Sequence, residues 1–166
     1  MALPIISQMK VQCCPVLTSV FSNHTGYPSF YFDDYTEKMP SYIAEWKKLN
    51  LHFECIAAGF LGSERQIEIV KNFIRDFKDE TTKVLIDPVM GDHGRTYQTF
   101  TPEMCSQMKQ LAHFADILTP NLTEACILTD TPYHDGHWQM SELSELALSL
   151  IAMGPSKVVI LSLIHI

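Results

Sequence analysis

Three short segments combine aromatic, polar and acidic side chains where a predicted strand gives way to a loop. They are FSNHTGY at 21–27, DPVMGD at 87–92 and TPNLTE at 119–124. The first offers an aromatic wall with hydrogen-bonding tips, which suits a small organic ligand. The second places two acids around a glycine turn, and carboxylate oxygens are the ligands that divalent cations prefer. The third places Asn121 and Glu124 at the positive end of a predicted helix, a favourable position for a metal–phosphate group.

Each segment also has a simpler structural interpretation. FSNHTGY is compatible with a polar turn after a strand, and Asp87-Pro88 with a strand-ending turn. Asn121 and Glu124, three residues apart, have the spacing of an N-terminal helix cap. The same residues can cap a helix and bind a ligand, so the residue types alone leave both interpretations open.

Strand-like and helix-like stretches alternate along the chain and predict an α/β fold. The predicted strands are Val11–Val20, Phe53–Ala58, Lys83–Ile86, Ala115–Leu118 and Lys157–Ser162. The predicted helices are Tyr35–Leu49, Ser63–Lys78, Ser141–Met153 and two that begin at Thr101 and Asn121. Such alternation predicts a parallel sheet with helices on both faces, in which ligands bind beyond the carboxyl ends of the strands. We therefore expect Asp87, Asn121 and Glu124 to meet at one edge of the sheet, with 21–27 as a loop near that edge.

Composition excludes several classes of protein. The 166 residues fit one domain, 1–166, and the net charge of -7 argues against a nucleic-acid partner. No apolar run has the length of a membrane span, so no membrane association is expected. The five cysteines are odd in number and two are adjacent, which does not suit a disulfide framework. A reducing cytoplasm is the expected location.

Together the three segments, with GFLGS at 59–63, resemble the pyridoxal kinases of the ribokinase-like superfamily. The resemblance runs from about Ala2 to about Ile160. DPVM and the N-x-x-E pair are shared with hydroxymethylpyrimidine kinases, whereas FSNHTGY is more specific and favours vitamin B6. The resemblance implies ATP-dependent phosphorylation of the 5′-hydroxyl of pyridoxal, pyridoxine or pyridoxamine with Mg²⁺, and it allows a homodimer.

The resemblance also implies a role for individual residues. It places Phe21, His24 and Thr25 beside the pyridoxal ring, and Asp87 and Glu124 at the metal. The residues that it places on the ATP side are Asp92, Tyr97, Thr119 and Asn121. The family often has Tyr where this chain has Phe60, so Phe60 lacks one polar contact.

Two segments of the family have no counterpart in this sequence. The family begins with a strand and a serine-containing loop that contacts the pyridine, and it has a later Gly-x-Gly-Asp segment that supplies an anion hole and the catalytic base. We therefore expect a ribokinase-like domain incomplete at both ends, which by itself phosphorylates pyridoxal at no useful rate. The final residues 162–166 (SLIHI) are similar to a translated sequencing-adapter end, and we expect them to be foreign to the family.

Three alternatives stay open at this point. A hydroxymethylpyrimidine kinase would share the metal end but have a different ring pocket. A non-catalytic nucleotide-binding relic would bind ATP without turnover, even with the missing ends restored. A purely structural α/β domain would bind no ligand.

Overall fold

The computed structural model describes residues 2–23 and 27–161. Its helices are α1 (Ala2–Gln8), α2 (Met39–Lys48), α3 (Glu64–Phe77), α4 (Pro102–Ala112), α5 (Leu122–Thr129) and α6 (Met140–Ile151). Its strands are β1 (Ser19–Phe21), β2 (Phe32–Asp34), β3 (Cys55–Ala58), β4 (Lys83–Ile86), β5 (Gly91–Asp92), β6 (Arg95–Thr96), β7 (Ile117–Leu118) and β8 (Lys157–Val158). No helix within these residues is long and apolar enough to cross a membrane.

The central element is a parallel sheet of four strands in the order β3-β4-β7-β8. Each strand lies next to the one that precedes it in this sheet, and the intervening segments carry the helices. The predicted α/β fold with a parallel sheet is confirmed. Because the strands are parallel, the loops that follow β3, β4 and β7 leave the sheet at the same edge.

The two faces of this sheet differ in burial. Ile56, Val84, Ile86 and Leu118 share one face through the strand register and are all buried in the main core. The residues between them are half-buried or exposed, as the burial pattern of β3 shows. Within the described residues, the main core therefore lies against one face of the sheet.

The helix that follows β3 begins at the predicted cap. The hydroxyl of Ser63 accepts a hydrogen bond from the backbone N–H of Gln66, as expected. The reciprocal half of the predicted capping box is wrong, because the Gln66 carbonyl accepts from Gly62 N–H at 2.8 Å. The cap of α4 at Thr101 is also confirmed, and its side chain accepts from the Met104 N–H.

The first predicted strand, Val11–Val20, is mostly wrong. Only Ser19 and Val20 are extended strand, and they pair antiparallel with β2 in a separate two-stranded ribbon. The apolar run is largely exposed, with Val11 at 54% and Leu17 at 41% of full exposure. A β-branched run becomes a strand when a neighbouring strand satisfies its backbone, and β2 reaches only its last residues. The predicted helix Tyr35–Leu49 likewise begins later, at Met39, because Tyr35–Lys38 forms a turn before Pro40.

A short hairpin was not predicted. β5 and β6 pair antiparallel around a turn in which His93 and Gly94 both have positive φ, 49° and 73°. Positive φ at both central residues is typical of two-residue hairpin turns, whose backbone twist matches the twist of the paired strands. The hairpin lies between β4 and α4 and begins within the DPVMGD segment.

Candidate active site

Two acidic segments lie at the edge of the sheet where the parallel strands end. The N–H of Asp87, just after β4, donates to Ala58 O, and the N–H of Thr119, just after β7, donates to Ile86 O. These bonds continue the ladder of the sheet by one residue on each strand. Both segments therefore leave the sheet together, and we refer to Asp87, Thr119, Asn121 and Glu124 as the acidic edge.

Glu124 is the most constrained side chain of the acidic edge. It is 3% exposed, and its two carboxylate oxygens accept from Met90 N–H at 3.1 Å and from Asn121 N–H at 2.8 Å. The Asn121 amide oxygen in turn accepts from the Glu124 N–H at 2.9 Å. The predicted capping box at the start of α5 is thus confirmed, and Glu124 also fixes the loop that follows Asp87.

The surroundings of Glu124 favour its protonated form. Burial raises its pKa to about 7, backbone N–H donors from Asn121, Met90 and Gly91 oppose this, and the negative charge of Asp87 adds to it. Burial also raises the pKa of Asp87. Two carboxyl groups that repel each other in a partly buried site are stabilised as anions by a cation between or beside them.

The β5–β6 hairpin is fixed against this edge by backbone contacts. The Asn121 side-chain amide donates to Gly91 O at 2.9 Å, and Gly94 N–H donates to the Thr123 hydroxyl at 2.9 Å. A Cβ atom at Gly91 would lie 2.2 Å from Arg95 O, and one at Gly94 would lie 2.4 Å from the Tyr133 ring. The close approach of both glycines explains why these positions carry no side chain.

The hairpin brings the remaining predicted ATP-side residues to the acidic edge. Asp92 accepts from the His93 N–H at 2.8 Å, so its carboxylate helps to close the turn. Tyr97 follows the hairpin, is 42% exposed, and its N–H donates to Met90 O. Burial raises the pKa of its hydroxyl, followed by the charges of Asp92, Glu124 and Asp87. The roles assigned to these residues in binding ATP stay predictions.

The acidic edge suits a magnesium ion that is shared with phosphate, but not a metal cage made by the protein alone. Among the described residues, no group of three or more His, Cys, Asp or Glu side chains could hold a metal ion. Mg²⁺ in phosphoryl-transfer sites is held by one or two carboxylates together with waters and substrate phosphates. Asp87, whose carboxylate has no hydrogen-bond partner in the described part of the chain, could hold such an ion directly, and Glu124, whose oxygens accept backbone N–H groups, could add its charge.

The predicted substrate loop is described only in part. Phe21 is the last residue of β1 rather than a loop residue, because it pairs with Phe32, whose ring centroid lies 4.8 Å away. The loop begins at Ser22, and Tyr27 is exposed. His24 and Thr25 lie outside the described residues. The expected proximity of this segment to the acidic edge stays a prediction.

Two supporting side chains had no clear signal in the sequence. Thr123 lies between the two capping residues in the sequence and is buried, and its hydroxyl accepts a hydrogen bond from the Gly94 N–H of the hairpin. Gln66 is 1% exposed and bonds to three separate segments, although its position three residues after Ser63 indicated only a helix cap. Both interactions join residues 29 to 48 positions apart in the sequence, and short-range patterns do not contain such pairs.

The fold and the acidic edge define a ribokinase-like α/β protein. Comparison with known sequences identifies its family. The profile of the phosphomethylpyrimidine kinase family matches residues 3–165. The chain therefore belongs to this family. The matched range takes in residues 162–165, which we expected to be foreign to it.

Individual relatives agree with this assignment. A pyridoxal kinase of Arabidopsis thaliana is 31% identical over 158 residues, which cover 90% of this chain and 48% of that protein. A Bacteroides thetaiotaomicron protein, provisionally assigned as a phosphomethylpyrimidine kinase, is 48% identical with a TM-score of 0.91 over 95% of this chain and 54% of that one. Its orthorhombic crystal form, with pyridoxal, matches with a TM-score of 0.89. The pyridoxal kinase of Lactobacillus plantarum is 29% identical, with a TM-score of 0.82 over 92% of this chain and 53% of that one. The chain spans about half the length of these relatives.

Proposed function

We propose that this chain is part of an ATP-dependent kinase that phosphorylates the 5′-hydroxyl of a vitamin B6 compound, pyridoxal, pyridoxine or pyridoxamine. The observation that carries the proposal is the difference between the two acids. Both oxygens of Glu124 accept from the backbone, whereas the Asp87 carboxylate has no hydrogen-bond partner among the described residues. An acid held at the edge of a sheet and left without a donor is available to a cation.

The chemistry requires charge neutralisation more than covalent participation. When bound, Mg²⁺ neutralises charge on the transferred phosphoryl group. Asp87 would hold the ion directly. Glu124 supports it from behind, because its oxygens already fix the loop that follows Asp87. Asp92, Tyr97, Thr119 and Asn121 would contact the nucleotide from the same edge.

The substrate ring is assigned to the other side of the site. Phe21, His24 and Thr25 would provide an aromatic surface and polar contacts to the pyridine, as in the resemblance drawn from FSNHTGY. The Bacteroides relative crystallised with pyridoxal supports this choice of ring. The curated pyridoxal kinase of Arabidopsis, similar over 90% of this chain, supports it as well.

The catalytic base is not among the proposed residues. The sequence contains no Gly-x-Gly-Asp segment, and none of the described acids is offered in its place. We therefore propose that the 166-residue chain binds Mg–ATP but does not transfer phosphoryl groups at a useful rate. A cytoplasmic location fits its five free thiols, and a homodimer is proposed on resemblance alone.

A hydroxymethylpyrimidine kinase is the second candidate. The name of the matched family and the provisional assignment of the Bacteroides relative favour it. It would use the same acidic edge, so the metal side does not separate the two candidates. The relic that binds nucleotide without turnover would share that edge too.

One assay separates these candidates. The complete protein that contains this chain is incubated with Mg–ATP and either pyridoxal or hydroxymethylpyrimidine, side by side. We expect kcat/KM for pyridoxal to exceed that for hydroxymethylpyrimidine by at least about tenfold, which corresponds to about 1.4 kcal/mol of transition-state stabilisation. A preference for hydroxymethylpyrimidine supports the second candidate, and nucleotide binding without turnover of either compound supports the relic.

A further inference from the structure

The aromatic ribbon formed by β1 and β2 is a separate sheet, and one buried glutamine connects it to the rest of the molecule. The ribbon carries Phe21, and in the part of the chain that the structure describes it pairs with no strand of the central sheet. Gln66, in the first turn of α3, reaches its base. Its side-chain amide donates to Thr18 O at 2.9 Å and to the Thr36 hydroxyl at 2.9 Å.

The two residues that accept these bonds flank the strands of the ribbon, one before β1 and one after β2. Thr18 precedes β1, and its carbonyl also accepts from the Tyr35 N–H at 3.1 Å. Thr36 follows β2, is 9% exposed, and its hydroxyl donates to the Asp34 carboxylate. The amide of Gln66 therefore holds the ribbon where its two strands meet the core.

The other end of the same side chain holds a loop at the carboxyl end of β3. The Gln66 carbonyl accepts from Gly62 N–H at 2.8 Å. Gly62 belongs to GFLGS at 59–63, the segment that contains Phe60. One buried side chain thus spans the aromatic ribbon and the loop that follows β3.

We infer that Gln66 is a positioning residue for the ring-binding side of the site. It fixes the distance between Phe21, on the ribbon, and the Gly59–Ser63 loop, and so determines how a flat ring is held between them. The inference rests on the proposed function for the identity of the ring, but not for the connection itself. Gln66 does not titrate, although its amide lies 3.3 Å from the Asp34 carboxylate.

The chemistry of the amide makes the arrangement specific. The side-chain amide donates to Thr18 O, to the Thr36 hydroxyl and, at 3.3 Å, to the Asp34 carboxylate. Its carbonyl accepts one bond, from Gly62 N–H. Removing one partner of a buried hydrogen bond typically costs about 1–3 kcal/mol. Met has nearly the same length and volume as Gln but can make none of these bonds, so Gln66→Met removes the connection without opening a cavity.

The test compares four versions of the 166-residue chain. Gln66→Met and Thr36→Val each remove the amide–hydroxyl contact, whereas Thr36→Ser retains the hydroxyl and should restore it. Arg65→Met is the matched control, because Arg65 is the neighbouring, exposed residue of the same helix. The first readout is hydrogen exchange of the ribbon amides Ser22 and Tyr35, with the Thr119 amide at the end of β7 as an internal reference.

We expect ribbon amides to exchange at least about tenfold faster in Gln66→Met and Thr36→Val, with the Thr119 amide unchanged. Thr36→Ser and Arg65→Met should exchange like the wild type. Equal protection of the ribbon in Gln66→Met and the wild type would overturn the inference. So would a uniform loss of protection that includes Thr119, since that outcome describes general destabilisation and not a positioning role.

The second readout compares the dissociation constants for pyridoxal and for Mg–ATP. The dissociation constant for pyridoxal should rise at least about tenfold in Gln66→Met, whereas that for Mg–ATP should stay within about twofold. Equal weakening of both ligands would contradict a role confined to the ring side. Whether or not the wild-type chain binds pyridoxal, the exchange measurement by itself decides whether Gln66 holds the ribbon.

Discussion

The acidic edge and the aromatic ribbon are built in different ways. At the acidic edge, backbone groups of neighbouring parallel strands and one capping box fix the carboxylate of Glu124 with two donors. The ribbon is a two-stranded sheet whose aromatic residues Phe21 and Phe32 are 36% and 43% exposed, and the side chain of Gln66 connects it to α3. The first region is organised by the sheet itself, and the second depends on a few side chains. We therefore expect the acidic edge to be pre-formed without ligand and the ribbon to be the more adaptable partner.

The largest expected effect follows from the catalytic base, which neither region supplies. Without a Gly-x-Gly-Asp segment, the 166-residue chain should form pyridoxal 5′-phosphate at least about 10²–10⁴-fold more slowly than an intact pyridoxal kinase, which is the usual contribution of a general base. Product formation with Mg–ATP is measured on protein shown to be folded by circular dichroism. Turnover comparable to that of the intact enzyme would mean that one of the two regions contains a base that we have not recognised.

A substitution at Gly91 should break the acidic edge while leaving the ribbon intact. A Cβ at this position would lie 2.2 Å from Arg95 O, so Gly91→Ala must displace the hairpin that receives the Asn121 amide. Overpacking of this kind costs about 1–3 kcal/mol of unfolding free energy, which urea denaturation would measure. Gly59→Ala is the matched control, because no atom lies within 4 Å of its added Cβ. An equal effect of both substitutions would contradict the proposed tight approach.

Substitutions of the two acids of the acidic edge should differ in how much they lower the free energy of unfolding. Glu124→Gln places an NH₂ group opposite one of two backbone N–H donors, so at pH 6 it should lower the free energy of unfolding by about 1–3 kcal/mol. Asp87→Asn is isosteric and removes no hydrogen bond within the described residues, so its effect should stay below about 0.5 kcal/mol. Similar losses for the two variants would show that Asp87 is a structural residue.

The two regions should also differ in how their stability depends on pH. The folded-state pKa of Glu124, about 7, is above its ordinary value of 4.5. Its contribution to stability is therefore complete below pH 4.5 and is lost as the pH rises through about 7. The change is on the order of 1–3 kcal/mol between pH 5 and pH 8. The wild type should lose stability over that range, and its advantage over Glu124→Gln should shrink.

The contribution of the ribbon to stability should depend on pH in the opposite direction and over a lower pH range. Hydrogen bonds from the Thr36 hydroxyl and N–H hold the pKa of Asp34 below its ordinary value of 3.8. Its contribution is present above pH 3.8 and is lost as the pH falls below that value. Protection of the ribbon amides should thus be constant from pH 5 to pH 8 after correction for intrinsic exchange. A change in ribbon protection that follows Glu124 titration would show that the two regions are coupled.

The difference between the regions also explains what the sequence could predict. Lys83–Ile86, the Thr101 cap and the capping box of Asn121 and Glu124 depend on local patterns, and all three are confirmed. Parallel strands then bring Asp87 and Glu124 together without further information. The acidic edge was therefore predictable in its geometry, although its ligands remain proposals.

The ribbon was predicted poorly for the same reason. The apolar run Val11–Val20 has strand-like composition, but its pairing depends on β2, more than ten residues away, and only its end is strand. Gln66 was recognised as a capping position, yet its side chain bonds to Thr18, 48 residues away. The β5–β6 hairpin also depends on the contact of Gly94 with Tyr133, which is 39 positions away in the sequence and so lies outside any local pattern.

The central claim is that Asp87 at the acidic edge holds a magnesium ion bound to a nucleotide. Calorimetric titration of the folded 166-residue chain with ATP, with Mg²⁺ or with EDTA, tests it most directly, in the wild type and in Asp87→Asn. We predict binding that requires Mg²⁺ and is weakened at least about tenfold by Asp87→Asn, a loss of about 1.4 kcal/mol. Equal Mg–ATP affinity of the wild type and Asp87→Asn, or ATP binding that is unchanged by EDTA, would contradict the account.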